Sequence, residues 1–352
     1  MTELRFAVIG AGFWAPFQIG GWQDVNGVKC AAICDRVVSK AEKVARDLGI
    51  PSVYEDPEEM LSREKLDFLD VITGGSSHPD LVLMAARHRL PVICQKPMAN
   101  TLQDAEDMVR TCREAGVPFL VHENWRWQSQ IREFKKVIDS GLIGVPFRAR
   151  IFLVSGFPVF DTEPSLMELE EYILKDLGTH LLDVARFLFG EADSLYCQIH
   201  KIHKDIKGED VATVMMRMGG RTTVTCYMGF PGNFLENDVF NQTLIFVEGE
   251  KGSAELDRDF WIRVTTQSGT QCNRYPPKYR PWMLPTYIAS HASIARCNAH
   301  LLQALRGEGK AETTAEDNLK TMRLTFAAYE SAHTGRTIGF RRGAAADPQR
   351  SG

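Results

Sequence analysis

Short apolar runs alternate with amphipathic stretches through the first 120 residues or so. Phe6 to Ile9 reads as a buried strand, and so do Lys29 to Cys34, Phe68 to Thr73, Pro91 to Cys94 and Val117 to Val121. Between them the pattern predicts helices. One is capped by Ser39, runs to Leu48 and stops at Gly49. One opens at His78-Pro79, since proline suits a first turn, and another follows the capping-box-like Thr101-x-x-Asp104 and ends at Gly116. Repeated strand–helix units of this kind imply a doubly wound parallel sheet with a ligand at the carboxyl ends of its strands.

The pattern changes after residue 123. A helix near Ser129 to Ser140 ends at Gly141, and Phe147 to Val154 is a strand. After an intervening helix come Leu195 to His203, Val211 to Met218, Thr222 to Phe230, Thr243 to Glu248 and Trp261 to Thr266. Several alternate apolar and polar positions, as half-exposed antiparallel strands do. Gly219-Gly220 marks a hairpin. Two helices close the pattern, near Ala292 to Leu305 and Ala315 to Ala332. The expected organisation is α/β throughout: a doubly wound domain over residues 1–123, then an α/β domain with a large, open, mainly antiparallel sheet over 124–340. Residues 341–352, rich in Gly, Ala, Pro and Arg, read as a disordered tail.

Composition narrows the function. Hydrophobic content of 44% and charged content of 24% fit a globular protein with real cores. A net charge of −4 with no long basic run argues against nucleic acid and anionic membranes as partners. No apolar stretch is long enough to span a bilayer, and the first strand begins too early for a signal peptide. The eight cysteines are scattered without a CxxC pair, so the expected state is reduced, cytoplasmic and without a metal site.

Three stretches carry candidate chemistry. The first strand runs into Gly10-x-Gly12-x-x-Ala15. The first glycine permits a tight turn, the second lets the backbone approach a pyrophosphate, and the small third residue lets helix and strand pack closely. The second strand ends in Asp35, placed to accept from an adenosine ribose, with Arg36 beside it. Gly10, Gly12, Phe13, Trp14, Ala15, Asp35 and Arg36 are therefore candidate dinucleotide-binding residues, with Thr73 and Gln95 at later strand ends. Gln95-Lys96-Pro97 falls where a parallel strand should end, facing the cleft, and Pro97 restricts the backbone of Lys96. Position alone does not separate a functional lysine from a surface one. In the third stretch, Asp176, His180 and Asp183 are spaced i, i+4, i+7 and share one helical face. A carboxylate one turn from an imidazole suits a general base, although a helix-start acid and a capping histidine give the same pattern.

In order and spacing these motifs, with Ser77-His78-Pro79 and Glu123-Asn124-x-Arg126-Trp127, resemble the glucose–fructose oxidoreductase/inositol dehydrogenase family, Gfo/Idh/MocA, over about residues 4 to 340. The resemblance implies an N-terminal Rossmann domain binding NAD, and puts Lys96, Asp176 and His180 in the places of the catalytic lysine, aspartate and histidine. It also places His78 near the cofactor, where helix capping is the alternative. One departure stands out: the family usually has Glu-Lys-Pro, and here Gln95 removes a negative charge beside Lys96. Asn124, Arg126, Phe157 and Asp183 are candidate substrate contacts. Trp125 and Trp127 read as packing more than as a sugar-stacking wall, and Lys278 to Trp282 as a segment closing the pocket.

The implied activity is NAD-dependent oxidation of a hydroxyl of a neutral sugar or polyol, with NAD preferred to NADP. Gln95 to Ala99 and Glu123 to Trp127 are most similar to the branch of D-apiose dehydrogenases, which oxidise an anomeric carbon to a lactone. Glycoside hydrolysis by transient oxidation and a catalytically silent sugar sensor are the alternatives. The alternating strands of the second domain, together with the resemblance, imply a homodimer or homotetramer.

Overall fold

The computed structural model describes residues 3–340, so the tail expected to be disordered lies outside the described residues. The chain forms two compact units. The first comprises Met1–Glu133, Val239–Gln242 and Tyr275–Arg323; the second comprises Phe134–Asp238, Thr243–Arg274 and Leu324–Gly352.

The first unit begins β1 (Leu4–Ile9), α1 (Ala15–Gln23), β2 (Val28–Cys34), α2 (Val38–Leu48), β3 (Ser52–Tyr54), α3 (Pro57–Arg63), β4 (Phe68–Val71), α4 (His78–Arg87), β5 (Val92–Gln95), α5 (Leu102–Ala115) and β6 (Phe119–His122). Its six strands are parallel and ordered β3-β2-β1-β4-β5-β6, the doubly wound arrangement. Phe6, Val8, Ile33, Phe68 and Ile93 are fully buried and share one core with Ile19 and Trp22 of α1. Each such side chain contributes about 1.5–3 kcal/mol.

Two local expectations change. Helix α2 starts at Val38, and Ser39 is not its cap; Asp35 Oδ1 instead accepts the Val37 N–H at 2.8 Å. The sequence pattern also passed over β3, only three half-buried residues long, and α3, although Asp56 caps α3 by accepting the Glu58 N–H at 2.8 Å.

β4 carries an anomaly for a buried strand: Asp70 has no exposed surface. Its carboxylate accepts from Gln18 Nε2 at 2.8 and 2.9 Å and from Trp22 Nε1 at 2.7 Å, so α1 satisfies it from above the sheet.

The second unit contains most of α6 (Ser129–Asp139), then β7 (Pro146–Val154), a short helix α7 (Val159–Thr162), α8 (Thr179–Phe189), β8 (Ala192–His200), β9 (Val211–Met218), β10 (Thr222–Gly229), β11 (Leu244–Gly249), β12 (Gly252–Asp257), β13 (Trp261–Thr266) and β14 (Gly269–Arg274). After α9 (Ile288–Leu305) in the first unit, the chain continues through α10 (Ala315–Thr334) to β15 (Ile338–Gly339). The nine strands run in the order β14-β13-β12-β11-β7-β10-β9-β8-β15. Only β7 and β10 pair in parallel; every other pair is antiparallel. The hairpin at Gly219-Gly220 forms with Met218 opposite Thr222, both glycines at positive φ. β12, β14 and β15 went unread in the sequence, and β14 explains why: all six of its residues are exposed, so no apolar period marks it. Helix α8 packs on β7 and β10, and there Ile151, Leu153, Val224, Cys226 and Met228 are buried with Leu181, Leu182 and Ala185.

Tyr275–Arg323 belongs with the first unit because α9 packs against α1. A Cβ on Gly21 would lie 2.4 Å from Ile294 Cγ2, so the close approach of these helices requires glycine there.

Burial raises the Asp70 carboxyl to about 7, against the hydrogen bonds from Trp22 and Gln18. Its contribution to stability is therefore fully present below the ordinary carboxylate range, about pH 4, and is lost as pH rises through about 7. Asp70→Asn should abolish that decline. It should also cost about 1–3 kcal/mol, because a buried donor would then face a donor. Urea unfolding at several pH values measures both effects; an unchanged midpoint and unchanged pH slope would contradict them.

Candidate active site

In the first unit the chain turns from β1 into α1 through Gly10, at φ +112°. A Cβ there would stand 2.7 Å from the Ile72 carbonyl oxygen, so the turn requires glycine. At Gly12 a Cβ would meet no protein atom within 4 Å. Gly12 instead lines a cleft of about 690 Å³ together with Gly10, Asp35, Arg36 and Thr73. A bare backbone edge opening into a cleft at a helix N-terminus is what a dinucleotide's pyrophosphate requires. The residues present therefore fit NAD.

Asp35 is half-buried at the end of β2. Its Oδ2 accepts the Ala11 N–H at 2.7 Å, which ties the glycine turn to β2, while Oδ1 accepts from Val37. Each carboxylate oxygen keeps a lone pair for a ribose hydroxyl. Arg36 and Lys40 are exposed beside it on the cleft, and Ser77 and Asp80 line the opposite side. Ser77 belongs to the Ser77-His78-Pro79 turn noted in the sequence, whereas Lys40 and Asp80 were not singled out, since single polar residues in a first helical turn carry no distinctive period.

The other candidate cofactor residues do not line that cleft. Ala15 is fully buried under the turn. Phe13 is 41% exposed and touches the rings of Phe17 and Tyr287, while Trp14 stands edge-on to His291 with ring centroids 5.1 Å apart. His78 is buried, and its ring is not a cap. Its Nε2 lies 2.9 Å from the Thr73 carbonyl, and its Nδ1 lies 3.1 and 3.3 Å from the Pro97 and Met98 carbonyls. Burial lowers its pKa, with these three carbonyls opposing. His78 thus links the loop after β4 to the loop that carries Lys96.

Gln95 is the centre of a buried chain of hydrogen bonds. Its Oε1 accepts the Lys96 N–H at 2.9 Å, and its Nε2 donates to Gln18 Oε1 and, at 3.1 Å, to His122 Nδ1. His122 Nδ1 is therefore the acceptor, and Nε2–H donates to Asn298 Oδ1 at 2.9 Å. Gln18 passes the chain on to Asp70. Lys96 itself is half-buried, followed by a cis peptide to Pro97.

Asn124 and Arg126 turn inward. Asn124 Nδ2 donates to the Ser290 carbonyl at 3.1 Å and to Ser293 Oγ at 2.8 Å. Arg126 pairs with Asp317 at 3.2 Å and lies 4.0 Å from Glu312. Trp125 is buried, and Trp127 lies against Arg132 and His300, the packing roles expected of both. Trp282 packs on Gly20 and donates to Asp24 at 3.0 Å.

In the second unit, α8 is preceded by a π-helical turn, Leu174–Gly178. Asp176 is half-buried in that turn, and His180, 4% exposed, sits in the first turn of α8. Inserted π turns recur at functional sites because they re-aim side chains. The turn is held by Glu209, which no local sequence signal marked. Its carboxylate accepts the Tyr172 and Leu174 N–H groups at 3.2 Å each and the Tyr329 hydroxyl at 2.7 Å. Asp183 is fully buried, with Arg186 Nη1 at 3.7 Å, and Phe157 is half-buried in the loop before α7.

The family model for the GFO/IDH/MocA oxidoreductases, described as an NAD-binding Rossmann fold, matches residues 4–123, and the model for that family's C-terminal domain matches residues 131–255. The chain is 40% identical to a D-apiose dehydrogenase from Rhizobium rhizogenes, over 96% of this chain and 98% of that protein. It is 38% identical to one from Paraburkholderia graminis, over 96% and 90%. A crystal structure of an oxidoreductase from Agrobacterium radiobacter in complex with NAD+, L-tartaric acid and magnesium superimposes with a TM-score of 0.93 at 40% identity, over 96% of this chain and 98% of that one. The glycine turn, the cleft beside it and this full-length likeness show that the chain belongs to the Gfo/Idh/MocA family of NAD-binding oxidoreductases.

Proposed function

We propose that the enzyme oxidises a hydroxyl of a neutral sugar or polyol with NAD, and that its substrate is D-apiose or a similar aldose, oxidised at the anomeric carbon to a lactone. The observation that carries this reading is the likeness, over nearly the whole chain, to two D-apiose dehydrogenases. NAD, when bound, accepts the hydride. The chain supplies the rest. Gly10, Gly12, Phe13, Trp14 and Ala15 form the turn for the diphosphate, Asp35, Arg36 and Thr73 surround the remainder of the cofactor, and the buried His78 braces the loop after β4 behind them. His180 takes the hydroxyl proton, Asp176 orients His180, and Lys96 stabilises the negative charge developing on the oxygen. The inward bonds of Asn124, Arg126 and Asp183 support a role in shaping the substrate's surroundings, with Phe157 the more accessible of the four. The eight cysteines are all unpaired, which suits a reducing compartment such as the cytoplasm. No helix among the described residues is long and apolar enough to cross a membrane.

NADH formation with D-apiose, D-xylose, D-glucose, myo-inositol and gluconate side by side should show D-apiose preferred. A preference for gluconate would overturn the neutral-substrate reading, and one for inositol only the apiose assignment. On the preferred substrate, Lys96→Ala and His180→Ala should each lower kcat by about two to four powers of ten while NAD still binds. Asp176→Asn should cost less, and the rate should rise with pH as His180 loses its proton.

NAD should be used in preference to NADP, because the Asp35 carboxylate repels a 2′-phosphate. Asp35→Ser should narrow the ratio of kcat/KM values. It should also weaken NAD use, since Ala11 loses its acceptor. Arg36→Ala should lower whatever NADP activity the wild type has. Equal use of both cofactors by the wild type would refute this preference.

The face of the large sheet that carries Met215 and Tyr227 exposes them by 48 and 38%. We expect it to be covered in a homodimer or homotetramer. Light scattering at micromolar concentration should give a multiple of 39.5 kDa; a mass of 39.5 kDa would exclude the assembly.

A further inference from the structure

Lys96 lacks the acidic neighbour that resemblance leads one to expect at position 95, and the hydrogen-bond directions show why an acid is unsuited there. Gln95 Nε2 faces Gln18 Oε1 and the lone pair of His122 Nδ1. A carboxylate in its place would set acceptor against acceptor on both sides. With His122 neutral and Gln95 an amide, neither member of this pair supplies a charge.

The adjacent strand does. β5 and β6 run parallel with Gln95 opposite His122, so Lys96 and Glu123 leave the sheet at the same level. Glu123 has no exposed surface. Its Oε1 accepts the Trp125 N–H at 3.2 Å, and its carboxyl feels the positive charges of Lys96 and Arg126. Arg126 has acids of its own in Asp317 and Glu312. On the side of α9, the Cys297 thiol feels the same carboxylate and is pushed up by burial. Among the groups acting on Glu123 are thus two cations, Lys96 and Arg126, with the Cys297 thiol on the side of α9. Burial raises the Glu123 carboxyl to about 7, with the Trp125 N–H, Lys96 and Arg126 opposing.

We infer that Glu123 is a counter-charge of Lys96: a positioning residue that keeps the ammonium charged. This rests on the proposed role of Lys96 as the group that stabilises charge on the substrate oxygen. A carboxylate facing a lysine favours the ammonium, and a charge stabiliser must keep its proton through the reaction.

The test is the pH dependence of kcat and kcat/KM between about pH 6 and 11, on the preferred sugar with saturating NAD. Glu123→Gln should lower kcat by about tenfold and move the alkaline limb to lower pH by about one pH unit, with the KM for NAD near the wild-type value. Glu123→Asp keeps the charge and should return the limb toward the wild-type position. Should Glu123→Gln not fold, the comparison of Glu123→Asp with the wild type still decides: the shorter arm withdraws the carboxylate and should give a smaller shift in the same direction. An alkaline limb that stays in place in every folded variant, while Lys96→Ala is inactive, overturns this inference and leaves the proposed reaction standing. Full activity in Lys96→Ala overturns the role of Lys96 and this inference with it.

Discussion

The hydrogen bond from the Lys96 N–H to the side-chain oxygen of Gln95 is the constraint around which the first unit is arranged. A parallel sheet presents its ligands at the carboxyl ends of its strands, where backbone groups lose their ladder partners and must find others. Here one buried amide meets that need and passes the requirement on. Its nitrogen needs two acceptors, Gln18 and His122; Gln18 in turn needs Asp70, and His122 needs Asn298 on α9. The chain therefore links β4, β5, β6, α1 and α9 in one direction of donation, and each member's tautomer or amide orientation follows from its neighbour's. A buried network of this kind is rigid because any single reversal leaves a donor facing a donor.

The second unit solves a different problem. The proposed role of His180 as a general base needs one fixed orientation, yet an α-helix alone leaves its first amides without partners. The π turn and Glu209 meet both needs: the carboxylate takes the Tyr172 and Leu174 amides at the entry to the turn from a position just before β9, 35 or more residues away in the chain. Tyr329 closes the same carboxylate from α10, so the segment that carries Asp176 is fixed by groups distant in sequence. Burial and this acid both push the Tyr329 hydroxyl far up, which keeps it a donor.

Much of the fold was legible because periodicity reports burial directly. Val211–Met218 and Trp261–Thr266 were read to the residue, since their alternation matches a sheet with one covered face. Gly49 and Gly116 marked helix ends, and both adopt the left-handed conformation that the chain needs there. The misreadings share a cause. Ser39 reads as a cap because its side chain suits one, but the helix already begins at Val38, which places Ser39 inside its first turn. β14 is exposed along its whole length, and β3 is too short for a period to show. Asp70, by contrast, was visible in Phe68-Leu69-Asp70-Val71 as an acid inside an apolar run; its meaning required knowing that Gln18 and Trp22 lie above it.

By itself the sequence determined the family, the doubly wound sheet, the glycine turn and the identity of the chemical groups, because each of these depends on residues within one or two turns of chain. Tertiary structure alone decided how those groups are held. That Asp35 braces the glycine turn, that His78 ties two loops by their carbonyls and that Arg126 answers to Asp317 are pairings that reach across as many as 191 positions. The inferred counter-charge of Lys96 has the same origin: residue 95 is read along the chain, but Glu123 reaches the level of Lys96 only because β5 and β6 pair in that register. A hydrogen bond has a direction and a charge has a sign, and neither is defined until folding has chosen the partner.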